Sequence, residues 1–293
     1  MLLLNGAGRT GMDCLFNTGA QIFDFSGSCM QITAHTPTVL GVDIEMLRAP
    51  LDSQAINANL TQYWRVSVVE LTASTQSDLI ELVTQGRAQA GDVIVADYQS
   101  SGRGRLTRSF EAPPGSALLF SFYIKPSRAR SDWGWIPLMA GVSVAQSLSG
   151  VKARVKWPND ILINEKKISG LIAQVVNDGI VIGIGINVGM QVSEIPVPQA
   201  TSLAIEGVLN ISRNELLANL LATFENNFSK WDQGSDEIWP VYQGMSATLG
   251  QSVEVHYPDG RVEGGTAVSV SASGELVLAD GVHVLAADII HLR

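Results

Sequence analysis

The sequence predicts an α+β protein: a mixed sheet packed by helices, followed by a small C-terminal β-barrel. Three observations carry this. Between residues 66 and 188, apolar runs of strand length alternate with helical stretches. Ser212-x-x-Glu215 and Thr75-x-x-Asp78 both read as capping boxes opening helices. From about Gly250, turn signals recur at Tyr257-Pro258-Asp259-Gly260, Ala272-Ser273-Gly274 and Ala279-Asp280-Gly281, between short alternating strands. That last spacing predicts a barrel of roughly 45 residues, too small to hold a core alone, which must pack against its neighbour.

The elements follow in order. Residues 1–47 stand apart, with few charges and no sustained period, and read as an N-terminal extension, disordered or not translated, with Met46 a candidate start. Their Gly6-Ala7-Gly8-Arg9-Thr10-Gly11 matches a dinucleotide fingerprint formally but lacks a proper strand before it and a helix after it. Asp52 caps a short helix with Ile56 and Leu60 on one face. Val66–Leu71 is a strand, and the Thr75 box opens a helix over Gln76–Gln85 that stops at Gly86. Val93–Ala96 and Ala117–Ile124 are buried strands. Asp132 is expected to cap the apolar helix through Leu148. Hairpin strands follow over Arg154–Ile163, Ile168–Val176 and Ile180–Val188, turning at Asn164-Glu165 and Asn177-Asp178-Gly179. Helices from Ser212 to Trp231 and over Asp236–Gln243 complete a layer with strands on one side and helices on the other. The organisation is thus 1–47, a catalytic part over 48–245 and a C-terminal domain over 246–293.

Charge is unevenly placed. The chain carries a net charge of -9, yet the window from Arg103 to Lys167 holds 11 of its 19 Lys and Arg against four acids. A compact positive site on an acidic body suits a small polyanion, which its field steers in. The acidic total argues against nonspecific DNA binding. No membrane span or secretory signal is evident, and the cytosol is the expected compartment. Residues 48–240 contain neither His nor Cys. That excludes a thiol nucleophile, a Ser-His relay or a His-based zinc site there, leaving cations, backbone N–H groups, carboxylates and amides.

Two strings in the basic window are chemically specific. Gln99-Ser100-Ser101-Gly102-Arg103-Gly104-Arg105 follows a buried strand. Its glycines let the backbone approach a ligand, and its arginines offer forked donors to phosphate or carboxylate. A plain basic loop or an RNA-binding RG segment are the competing readings; RG segments come as repeats, and this one is single. In Lys156-Trp157-Pro158-Asn159-Asp160 the proline breaks a strand and re-aims Asn159 and Asp160. Lys167-Ile168-Ser169-Gly170 and Gly183-Ile184-Gly185-Ile186-Asn187 then bring small-residue strands alongside.

Taken in order with Ser74-Thr75, these strings resemble the biotin–protein ligases over about residues 50–293. The resemblance implies a biotin–lipoyl ligase-like catalytic domain with an SH3-like C-terminal barrel. It implies ATP and Mg2+ as co-substrate and ion, biotin as substrate, and no redox cofactor. Biotin's carboxylate attacks the α-phosphate of ATP, giving biotinyl-5′-AMP, and a lysine of a biotin carboxyl carrier protein domain takes the biotin. By the same resemblance, Ser74, Thr75, Gln99, Arg103, Gly104, Arg105, Lys167 and Gly170 bind biotin. Lys167, Arg103 and Arg105 are the catalytic cations. Lys156, Trp157, Asn159, Asp160, Phe110 and Asn187 meet the nucleotide, with Asp160 the magnesium ligand. The C-terminal domain supplies no named site residue.

This chain departs from the family in having Gln76 where Asn is usual, read as a helix N-terminal residue in preference to one that reshapes the rim of the biotin pocket, and Phe110 where Trp is usual. Residues 1–60 show no basic recognition helix, so no operator binding is expected. A lipoate-type ligase and a biotin-responsive repressor remain the alternatives, and pairing of the chain with itself is left open.

Overall fold

A computed structural model describes residues 44–105, 108–285 and 287–292. The N-terminal extension, with its glycine motif, lies almost wholly outside them. Residues 44–293 form one compact unit.

Its centre is a seven-stranded mixed sheet. The strands are β1 (Arg65–Thr72), β2 (Asp92–Gln99), β3 (Ala117–Ile124), β4 (Ala153–Lys156), β5 (Asp160–Ile163), β6 (Lys166–Val176) and β7 (Gly179–Asn187). Their spatial order is β1-β2-β3-β7-β6-β5-β4; β1 and β2 are parallel and the other pairs antiparallel. A one-residue alternation sends side chains to opposite faces. On one face Val93, Val95, Phe120, Phe122, Ile182 and Ile184 join the large core beneath α4 (Trp135–Ser147) and α5 (Arg213–Asp232). On the other, Ile94, Tyr123 and Val181 pack under α3 (Thr75–Thr84). Helices therefore cover both faces, not one as expected, and β3 and β7 are buried along their whole length. Near-continuous apolar runs such as Ala117–Ile124, interrupted only by Ser121, are what two-sided burial requires.

The remaining helices are α1 (Ile44–Leu47), α2 (Ser53–Asn57) and α6 (Ile238–Met245). Asp52 caps α2 by accepting from the N–H groups of Gln54 and Ala55, and the Ser212/Glu215 box opens α5 as expected. Two caps fall elsewhere. Ser74, not Thr75, is the N-cap of α3, and Asp78 accepts from the Thr72 hydroxyl instead of closing a box. Asp132 ends a 3-10 turn, and α4 begins behind Gly134 with no side-chain cap. The β5–β6 hairpin turns where expected, on Asn164 and Glu165 at φ of 48° and 63°. Arg154–Ile163 is not one strand: Trp157-Pro158-Asn159 divides it into the β4–β5 hairpin.

The C-terminal segment does not form a barrel. Its strands β8 (Ser252–His256), β9 (Val262–Val270), β10 (Leu276–Leu278), β11 (His283–Val284) and β12 (Asp288–His291) make one open antiparallel sheet, ordered β11-β10-β9-β8-β12. Closure needs a ladder between the outer strands, but β11 is two residues long and pairs only with β10. The turns at Gly260, Gly274 and Gly281, all at positive φ, stand where the sequence places them. This sheet docks on the part built around the seven-stranded sheet. The indole N–H groups of Trp135 and Trp157 donate to Ser271 and Gly274 carbonyls. At Gly134 a Cβ would stand 2.0 Å from the Ser273 carbonyl oxygen. No helix among the described residues is long and apolar enough to cross a membrane.

Candidate active site

The face covered by α3 is only half filled. Beyond the helix, the sheet carries small residues in register: Ser121 opposite Gly183, and Gly185 opposite Gly170. They floor a cleft of about 370 Å3. Each glycine makes room for a neighbour's side chain. A Cβ on Gly185 would meet the Phe110 ring at 2.7 Å, one on Gly170 the Lys167 Nζ at 3.0 Å, and one on Gly183 the Gln76 Oε1 at 2.6 Å.

At one end, the first turn of α3 meets the end of β2. Gln99 Oε1 accepts from Thr75 N (2.7 Å) and Thr75 Oγ1 (3.0 Å). Thr75 has one hydroxyl proton, so Ser121 Oγ, 2.9 Å away, must donate to Thr75 Oγ1. The chain Ser121–Thr75–Gln99 fixes the amide's orientation and leaves Gln99 Nε2 as its donor to the cleft. Ser74 and Gln76 are buried beside it. Gln76 is the second residue of α3, a helix N-terminal residue as read from the sequence, and is also part of the cleft wall.

The arginine loop closes one side. Phe110 N donates to Gly102 O (3.0 Å) and Gly104 N to Arg108 O (2.7 Å), with Arg103 bridged to Ser109, so residues 102–104 and 108–110 run as two paired arms. Arg105 donates to Asn159 Oδ1 at 3.2 Å and to Ala287 O at 3.3 Å. Arg108 pairs with Asp288, which lies 3.8 Å from Arg105. Phe110 covers Gly185 with an apolar ring.

At the other end, Lys167 Nζ stands 2.6 Å from Asp160 Oδ1. Burial pushes the neighbouring Lys156 ammonium below the usual lysine range; Asp160 opposes this and Lys167 reinforces it. Asn159 is held by its Nδ2 donating to Leu171 O at 2.9 Å. Trp157 lines the cleft, but its indole N–H is engaged by Gly274, so it presents only ring surface.

Thirteen of the fourteen site residues named from the sequence line this cleft. Asn187 does not: its Nδ2 donates to Thr201 O at 2.8 Å, holding the segment after β7. Sequence reasoning missed Ser121, and His256, Asp288, Ile289 and Ile290 from the C-terminal sheet, and it favoured the helix-start role of Gln76 over the pocket-rim role that the residue also has. A serine within the apolar run Ala117–Ile124 was a usable signal for Ser121. Nothing local marks Asp288.

The chain is similar to known proteins over most of its length. The chain is 33% identical over 268 residues to the biotin–[acetyl-CoA-carboxylase] ligase of Mycobacterium tuberculosis, covering 86% of this chain and 99% of that one. The chain belongs to the biotin–protein ligases. Residues 68–191 of this ligase match the model of the Biotin/lipoate A/B protein ligase family. The biotin protein ligase from Aquifex aeolicus, solved in complex with biotin and ATP, superposes with a TM-score of 0.67 at 28% identity, covering 78% of this ligase and 98% of that chain. The bifunctional ligase/repressor BirA of Escherichia coli is 32% identical over 165 residues, 53% of this ligase and 51% of that protein.

Proposed function

We propose that this biotin–protein ligase activates biotin with ATP in the cytosol and transfers it to a lysine of a biotin carboxyl carrier protein domain. The observation that carries the reading is convergence: the Thr75–Gln99 pair, the arginine loop and the Lys167–Asp160 pair all open on one cleft. Residues 48–245 are the catalytic part, and 246–293 complete its wall.

Ser74, Thr75 and Gln99 hold the ring system, with Gly170 leaving room. The carboxylate is already ionised at pH 7, so the first step needs no general base. What it needs is cancellation of charge as one anion approaches another. Lys167, Arg103 and Arg105, with Gly104 keeping the loop close, supply positive charge where the two anions meet. The carboxylate oxygen bonds to the α-phosphorus and the bond to pyrophosphate breaks. Lys156, Asn159 and Asp160 face the phosphates, while Trp157 and Phe110 offer apolar surface to the nucleoside. Asn187 shapes this end by fixing the segment at Thr201.

Asp160 also suits magnesium, which takes one or two carboxylates plus substrate oxygens; among the described residues no cluster of three ligating side chains forms a cage. When bound, the ion neutralises phosphate charge. In the second step the acceptor amine bonds to the carbonyl carbon and AMP leaves.

Incubation with labelled biotin, ATP and magnesium is expected to release pyrophosphate, and adding a carrier domain to label one lysine. Absence of pyrophosphate would sink the reading. Arg103→Ala is expected to let biotinyl-AMP dissociate about tenfold faster, the effect of losing one charged hydrogen bond. Filter-retention kinetics measure this, and an unchanged off-rate would remove Arg103 from the cover.

A further inference from the structure

Among the described residues, Asp288 is the one carboxylate that the C-terminal sheet brings to the cleft. It sits beside the arginine loop: it pairs with Arg108 and lies 3.8 Å from Arg105 Nη1. A negative charge there repels the phosphates that the reaction above brings in. Its contacts show what offsets that repulsion.

The hydrogen bonds of Arg105 among the described residues run to neutral oxygens, Asn159 Oδ1 at 3.2 Å and Ala287 O at 3.3 Å. Its charge is therefore left for an anion. The direct hydrogen bond to Asp288 comes from Arg108, whose side chain is 66% exposed. Gly104 N donates to Arg108 O at 2.7 Å, which ties the arm holding Arg103 to the backbone of Arg108. Asp288 is itself fixed in β12, directly opposite His256 of β8. Two neighbouring residues of one strand, Ala287 and Asp288, thus hold the loop at two arginines.

We infer that Asp288 is a positioning residue: through Arg108 it holds the arginine loop where Arg103 and Arg105 face the acyl phosphate. The inference rests on the biotin reading, which supplies that ligand. Charge alone predicts the opposite role, because removing a carboxylate from beside an anion should hold the anion more tightly. The two accounts differ in sign.

The test uses chemically made biotinyl-AMP added to the full chain, so that no step of catalysis enters. Filter retention after dilution gives its dissociation rate. Asp288→Asn keeps the side chain's size and removes its charge; it is expected to release biotinyl-AMP about fivefold faster, the effect of losing one partly exposed ion pair. Arg108→Gln is expected to do the same, and the double variant to release no faster than either single one, since the same contact is lost once. Asp288→Glu keeps the charge and is expected to stay within about twofold of wild type. Unchanged or slower release from Asp288→Asn overturns the inference, and so do effects that add in the double variant. Arg108→Gln leaves the C-terminal sheet untouched, so unchanged release from it overturns the inference even where Asp288→Asn folds poorly. Wild-type protein that retains no biotinyl-AMP overturns the biotin reading as well.

Discussion

Lys167→Met is expected to lower the rate of pyrophosphate release by about a hundred- to a thousandfold, the loss seen when one fixed charge-stabilising donor is removed from a transition state. The side chain lies across Gly170, with Nζ 2.6 Å from Asp160 Oδ1, and its stem is held by the strand beneath. Methionine keeps that stem and removes only the ammonium. The biotin dissociation constant should move much less than the rate, because the charge matters most as the carboxylate meets the phosphate. Single-turnover measurement separates the two. A rate within threefold of wild type would exclude Lys167 from the chemistry.

Arg213→Ala is expected to destabilise the fold by about 3 kcal/mol, within the range for breaking a buried pair by removing one partner. Arg213 is 2% exposed at the start of α5. It donates to the carbonyls of Ala49 and Ala117 and to Asp97 Oδ1 at 2.5 Å. One guanidinium thus ties the chain before α2, the start of β3 and the end of β2 to one helix. Its loss strands three acceptors. Urea unfolding monitored by tryptophan fluorescence measures the effect, and a change under 1 kcal/mol would mean those groups re-pair.

The two caps of α3 and α5 show what was legible in the chain and what was not. Ser212 and Glu215 have no competing neighbour, and the box forms as read. At α3, Ser74 and Thr75 are both good caps, and what decides between them lies far along the chain. Thr75 turns its hydroxyl to Gln99 and Ser121, contacts that no local pattern contains. The same division runs through the cleft. Its glycines, lysines and arginine loop are legible because each is an unusual residue where a strand or turn is expected. Asp288 reaches Arg108 across 180 positions of chain and carries no such mark. The barrel failed for a related reason: turn residues predict strands, but closure depends on how the first and last of them meet. Burial of β3 on both faces was readable from an apolar run broken only by Ser121; which helix lay on which face was not.

The meeting of α4 with the C-terminal sheet rests on the smallest side chain there is. A Cβ at Gly274 would stand 2.4 Å from the Gly134 carbonyl, and φ at Gly274 is 86°. Two hydrogen atoms therefore set the distance at which the C-terminal sheet, which walls the cleft through Asp288 and Ile289, meets α4. Such a seam cannot drift by single steps over evolutionary time, since widening either position separates the two before any second change can restore them. In this ligase, heritable constraint should extend to two glycines remote from any reacting atom.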